Sequence, residues 1–194
     1  MSDLGAGPFA TPRLHAIGFV RSALQVHHEA PRQSGLGRGA SAQIEIRQGM
    51  QNGLQDLGGF SHVWLLFWCH HARGGPTQVK PPRDERKRGV FATRAPQRPN
   101  PIGLSAVGLA GVDKRILQVT DCDLLDGTPI LDIKPYLPYC DSWPDARTGY
   151  AKDLDDGRAD HRAWWVEREC RQANRRPRST RGRPRSWQSR VARA

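Results

Sequence analysis

Arg94, Gln97, Arg98 and Asn100 crowd into one proline-punctuated stretch, GVFATRAPQRPNPIGLS at residues 89–105. Two guanidiniums and two amides suit carboxylates, phosphates and nucleobase edges. Pro96, Pro99 and Pro101 each fix φ and remove a backbone donor, and they push Ala95, Arg98 and Asn100 towards extended backbone. After a short β-type run at residues 90–93, the stretch can be neither a helix interior nor a central strand. It predicts a stiff loop whose polar side chains have little freedom left to lose when a ligand arrives. A proline-rich surface connection with no ligand is equally open on residue types alone.

Other candidate chemistry is weaker. Cys69-His70-His71 is a compact set of metal-type ligands, but successive strand residues face opposite ways and cannot close on one ion. No metal site is expected, and one of the two histidines at a strand end could instead hydrogen-bond a ligand. Asp121, Asp123, Asp126 and Asp132 cluster where carboxylates commonly serve turns. Gly35-x-Gly37-x-Gly39 has dinucleotide-type spacing, yet the strand-like Ala42–Ile46 follows where that fingerprint needs a helix, so a mobile loop is the better reading. Neither a nucleophile elbow nor a P-loop is present.

The elements that must position these groups are mostly strand-like. Residues 14–22 alternate, as do 42–46 and 129–134; residues 106–112 and 116–121 read as a hairpin turning at Asp113-Lys114. Residues 60–70, FSHVWLLFWCH, suggest a strand buried on both faces. Residues 53–57 read as a short helical turn ended by Gly58-Gly59, and Asp126-Gly127 as a tight turn. Residues 72–88, with the run KPPRDERKR, predict a long exposed loop able to touch phosphates or simply solvated. Without a βαβ alternation, the fold class is mainly β: a small antiparallel barrel with a few short helices. Residues 1–13 form a flexible N-terminus. Residues 161–174 predict a C-terminal helix, and the Arg-rich stretch 175–194 a disordered basic tail.

The net charge of +11 points to an anionic partner, most naturally nucleic acid. It is concentrated at the end: residues 151–194 carry 13 Lys/Arg against 6 Asp/Glu. Four dispersed cysteines, no secretory leader and no membrane-length apolar run predict reduced thiols in a cytoplasmic protein without a membrane partner.

IGFVRS (17–22), PRQ (31–33), GLQDLGGFSHVWLLFWCHH (53–71), GVFATRAPQRPNPIGLS (89–105) and DLLDGTPILDIKPYLPYCDS (123–142), in this order, closely resemble the TrmO (TsaA-like) family. Its members are S-adenosylmethionine-dependent tRNA methyltransferases. The resemblance covers about residues 14–151, marking that span as the cofactor-binding barrel domain and 152–194 as a divergent segment. It implies a homodimer that uses S-adenosylmethionine to methylate N6 of threonylcarbamoyl-adenosine beside the anticodon of tRNA. It implies cofactor contacts from Gln33, Ser34 and Gly35, from His70 and His71, from Arg94 and Leu104, and from a strand Thr120-Asp121-Cys122-Asp123. Asp123 or Asp126 would suit a ribose hydroxyl or the ammonium group. Asn100, Asp132 and Tyr136 are candidates to hold the target base. The chain departs from the family pattern twice. Gln33-Ser34-Gly35 stands where members commonly have QPG, and no DPRPAY-like motif follows. The basic tail is then either a tRNA-binding extension or a degenerate C-terminus. Two other functions stay open: an inactive cofactor-binding RNA-binding module, and an enzyme acting on a small molecule.

Overall fold

A computed structural model describes residues 13–27, 29–36, 39–81 and 84–153. The expected helix at 161–174, the basic tail and most of the N-terminal stretch lie outside the described residues. Eight strands follow in order: β1 Gly18–Ser22, β2 Ala42–Ile46, β3 His62–Trp68, β4 Gln78–Val79, β5 Arg88–Gly89, β6 Ile102–Asp113, β7 Ile116–Thr120 and β8 Pro129–Pro135. Six close an antiparallel barrel in the order β1-β2-β7-β6-β3-β8, with β8 returning to β1 through Gly18↔Ile130 and Phe19↔Pro129. Closure leaves no barrel strand unpaired. The mainly β barrel read from the sequence is the observed fold.

Alternation explains the interior. Val20, Ile44, Val63, Leu65, Val107, Leu117, Val119 and Ile130 recur at inward positions and are at most 1% exposed. Each such side chain contributes roughly 1.5–3 kcal/mol by leaving water.

Several local expectations need correction. β3 is not buried on both faces: Val63 and Leu65 point inward while Trp64 and Leu66, on the outer face of the barrel, are only half-covered. β6 begins at Ile102, not Ala106, since Trp68, Phe67 and Leu66 need partners and find them in Ile102, Gly103 and Leu104. The run at 90–93 is a 3-10 turn, Val90–Ala92, with Val90 buried and Thr93 N–H donating back to the Val90 carbonyl at 3.1 Å. The stretch 72–88 is not one exposed loop, because β4 pairs with β5 and Asp84 is buried between them in sequence. The helical turn near 53–57 is two 3-10 turns, Gln51–Leu54 and Leu57–Gly59, so Gly58-Gly59 lie within the second and do not end the first. Lys114 and Gly127, at φ 53 and 71, make the two tight turns close to where the sequence puts them. A single helical turn, α1 at Pro138–Asp141, follows β8; its Asp141 accepts from Trp64 Nε1 at 2.9 Å.

Candidate functional site

β6 is longer than either partner. Its first half pairs with β3, from Trp68↔Ile102 to His62↔Gly108, and its second half with β7, from Gly108↔Thr120 to Asp113↔Ile116. β7 therefore stops halfway. Asp121 turns left-handed, φ 55, and the chain leaves the ladder, so Thr120-Asp121-Cys122-Asp123 is a strand only at Thr120. Beyond that point Ser105 Oγ donates to Asp123 Oδ2 at 3.1 Å. Asp123 Oδ1 is buried and has no partner among the described residues. Burial pushes its carboxyl up, against the opposing pull of the Ser105 hydroxyl and of the Arg94 charge. A buried acceptor left unmatched at the end of a strand is a place for a ligand's donor.

A second wall comes from the loop after β1. Gly39 N–H donates to Asp121 Oδ1 at 2.6 Å, and Cys122 N–H to the Ala40 carbonyl at 3.0 Å. A 3-10 turn, Ser34–Leu36, packs on β6 with Ser34 buried. Gly35 faces open space.

The proline-rich loop is the third wall. Bonds within and beside it hold its shape. Thr93 Oγ1 donates to the Val90 carbonyl at 2.8 Å, Arg98 Nη1 to the Thr93 carbonyl at 3.2 Å, and Cys69 N–H to the Pro101 carbonyl at 2.7 Å. Arg98 thus works inside the loop, while the exposed Arg94 reaches across to Gln33 Oε1. Opposite, a Cβ on Gly75 would run into the backbone carbonyl of Gln97, so residues 72–76 lie directly against the loop. His70 and His71 sit in the turn after β3, not on the strand, so strand alternation does not separate them; their rings are 3.9 Å apart. Partial burial, then the neighbouring His71, lower the His70 pKa and keep it neutral at neutral pH.

Gln33, Ser34, Gly35, Arg94, Leu104, Asp121 and Asp123 thus gather around the open half of β6, with His70 and His71 at the adjoining end of β3. Leu104 is half exposed on the outer face of β6. Cys122 is placed differently: its side chain is 1% exposed in the core, burial raises its thiol pKa to about 11, and only its backbone can meet a ligand. Thr120 packs its hydroxyl against Gly108. Asn100 is exposed on the loop. Asp132 is engaged by Lys134 at 2.8 Å, and Tyr136 lies at the opposite end of β3 from His70, its N–H bonded to the His62 carbonyl. Among the described residues no group of three or more His, Cys, Asp or Glu is placed to hold a metal ion.

Sequence reading passed over Ser105 and Gly75. Ser105 had a signal, a hydroxyl two residues before Val107 on the same inward face. Gly75 had only its Gly-Gly context.

The tRNA-methyltransferase O N-terminal domain matches residues 19–142 of the chain. A probable S-adenosyl-L-methionine-binding protein of Pyrococcus abyssi is 40% identical over 150 residues, 73% of this chain and 82% of its own length. The tRNA (adenine(37)-N6)-methyltransferase of Escherichia coli is 43% identical over 147 residues, 70% of this chain and 62% of its own. The crystal structure of TrmO from Pseudomonas aeruginosa shares 41% identity at a TM-score of 0.62, over 73% of this chain and 63% of that one. The chain therefore spans less than two thirds of the latter two proteins.

Proposed function

The chain belongs to the tRNA-methyltransferase O N-terminal domain family, and from that premise we propose that it is an S-adenosylmethionine-dependent methyltransferase acting on N6 of an adenine in tRNA. The finer reading is threonylcarbamoyl-adenosine beside the anticodon as substrate, with a cytoplasmic homodimer as the working form. It rests on the motifs of residues 14–151 that resemble TrmO.

One observation carries the cofactor assignment: the orphan Asp123 Oδ1 at the open half of β6, within electrostatic reach of Arg94. The residues fit the cofactor's groups. Arg94 suits its α-carboxylate, Asp123 Oδ1 accepts from a ribose hydroxyl or the ammonium group, and Leu104 covers the adenine face. The backbone of residues 120–123 offers polar groups to the adenine edge. Gln33, Ser34 and Gly35 line the side opposite, and a neutral His70 sets no charge against a cation. When bound, S-adenosylmethionine supplies an electrophilic methyl group on a sulfonium sulfur. What the chain contributes to in-line transfer is alignment and fixed charge, not a strong base. Asn100, exposed on the stiff loop, holds the target base. Asp132 is engaged by Lys134, and Tyr136 lies at the end of β3 away from His70.

Mass spectrometry of tRNA nucleosides after incubation with S-adenosylmethionine tests the proposal; the expected result is one added methyl on the modified adenosine. Arg94→Ala should weaken cofactor binding by about 1.5–3 kcal/mol, the worth of a charge-assisted hydrogen bond, read by calorimetry. Unchanged affinity would remove Arg94 from the site. A second reading, cofactor binding without tRNA methylation, is favoured by one fact. The Pyrococcus relative, of which 82% is matched, carries a name that stops at binding. Tight cofactor binding with unaltered tRNA would select it.

A further inference from the structure

The cations of the barrel and those beside the proline-rich loop are disposed differently. On the barrel Arg21 Nε and Arg115 Nη2 lie 3.3 and 2.8 Å from Glu45 and Lys134 Nζ lies 2.8 Å from Asp132, while Lys114, single in the β6–β7 turn, makes no ion pair among the described residues. Around the β4–β5 hairpin, Arg73, Lys80, Arg86 and Lys87 are exposed, as is Lys152 in the 3-10 turn Gly149–Asp153. None of these five side chains makes a hydrogen bond or ion pair among the described residues. The buried Asp84 is ion-paired with Arg88, whose Nε lies at 2.6 Å, and feels the Arg86 charge without an ion pair to it.

The hairpin is also fixed to the loop that carries Arg94. The Arg88 guanidinium lies 4.4 Å over the Tyr150 ring, and the Tyr150 hydroxyl donates to the Ala92 carbonyl at 3.0 Å. Val90 N–H donates to the Thr77 carbonyl at 2.9 Å, and Gly75 backs onto Gln97. The backbone at both ends of this basic stretch is therefore tied to the loop that carries Arg94. Phe91, in the 3-10 turn that leads to Arg94, is 80% exposed. Clustered cations without ion pairs, beside a bare aromatic, suit a sugar-phosphate chain with a splayed base.

We propose that the basic cluster of Arg73, Lys80, Arg86 and Lys87 beside β4 and β5, with Lys152 of the adjoining Gly149–Asp153 turn, is the arm that grips the sugar-phosphate backbone of tRNA, an inference that rests on the function proposed above. Lysine acylation of the full chain, read by mass spectrometry with and without tRNA, tests it. The chain has five lysines, and none lies in the Arg-rich 171–194, so binding by that segment does not label. The expected result is protection of Lys80, Lys87 and Lys152 by several-fold, with Lys114, at the far end of β6, and Lys134 reacting as before. In parallel, the triple variant K80Q/R86Q/K87Q should bind tRNA about tenfold more weakly. Its salt slope should be shallower by about 2–3, roughly one for each phosphate that the variant leaves unneutralised, at unchanged cofactor affinity. A protein that binds and methylates tRNA with all five lysines equally reactive overturns the arm and leaves the function standing. Protection by anionic phosphatidylglycerol vesicles but not by tRNA overturns it in favour of a membrane surface. A chain that binds no tRNA overturns both.

Discussion

In the barrel, every strand is hydrogen-bonded on both sides and the interior is filled by Val, Ile and Leu that see almost no water. Among the described residues of the segment from Cys69 to Pro101, only two two-residue strands pair, one hydrophobic side chain, Val90, is fully buried, and shape is kept by single bonds from Thr93, Arg98, Arg88 and Tyr150. The barrel spreads its stability over many interchangeable contacts. The loop segment concentrates it in a few that cannot be exchanged. Damage to the barrel should unfold the protein, while damage to the loop should cost binding and leave the fold in place.

That contrast can be broken at graded points. Leu65→Ala leaves a cavity at a fully buried position and should cost about 2–5 kcal/mol in urea denaturation. A loss below about 1 kcal/mol would mean the barrel is not the stability core. Gly75→Ala forces a Cβ against the Gln97 backbone. Separating the two loops should cost about 1–3 kcal/mol locally. It should appear as weaker cofactor affinity with a urea midpoint close to wild type, and a midpoint that falls as far as that of Leu65→Ala would erase the distinction.

Asp123 sits where the two regions meet, and its pH dependence sharpens the boundary. Burial holds its folded carboxyl above the unfolded value of about 3.9. The folded state therefore binds the proton more tightly, and the associated stability is complete below the unfolded pKa and lost as pH rises through the folded one. Asp123→Asn should remove that loss, so the melting temperature of the variant should gain on wild type across this window while cofactor affinity falls. Asp84 runs the other way. Its hydrogen bonds from Arg88 and from the Arg86 N–H hold its pKa down, so the hairpin brace is present above the ordinary carboxylate range and lost as pH falls through the lowered value. The smallest effect is expected of Tyr150→Phe, which keeps the ring under Arg88 and deletes the bond to Ala92, at about 0.5–1.5 kcal/mol. Faster amide exchange confined to residues near 90–94 would report it.

Much of this was legible beforehand. The alternation in 42–46, 116–120 and 129–134 marks strands because each inward residue must leave water. Asp126-Gly127 marks a turn because Gly127 takes φ 71 without a Cβ to clash. The irregular, non-helical course of residues 94–101 follows from three prolines. Misreadings arose where a local pattern was overruled. Residues 90–93 look like a strand, but after Val90 N–H bonds to the Thr77 carbonyl the run closes on itself as a 3-10 turn. Gly103 looks like a loop residue but is glycine because the Phe67 ring on the neighbouring strand fills the place of its Cβ.

The sequence by itself determined which segments extend, which side of each is apolar, and where the chain must be rigid, since these depend on neighbours one to four residues away. Only the tertiary structure decided that Ser105 would meet Asp123, that Arg94 would meet Gln33 across 61 residues, and that Tyr136 would stand at the far end of β3. Those pairings are set by barrel closure and by the halfway stop of β7, and the register of strands far apart in the chain is written in no local pattern.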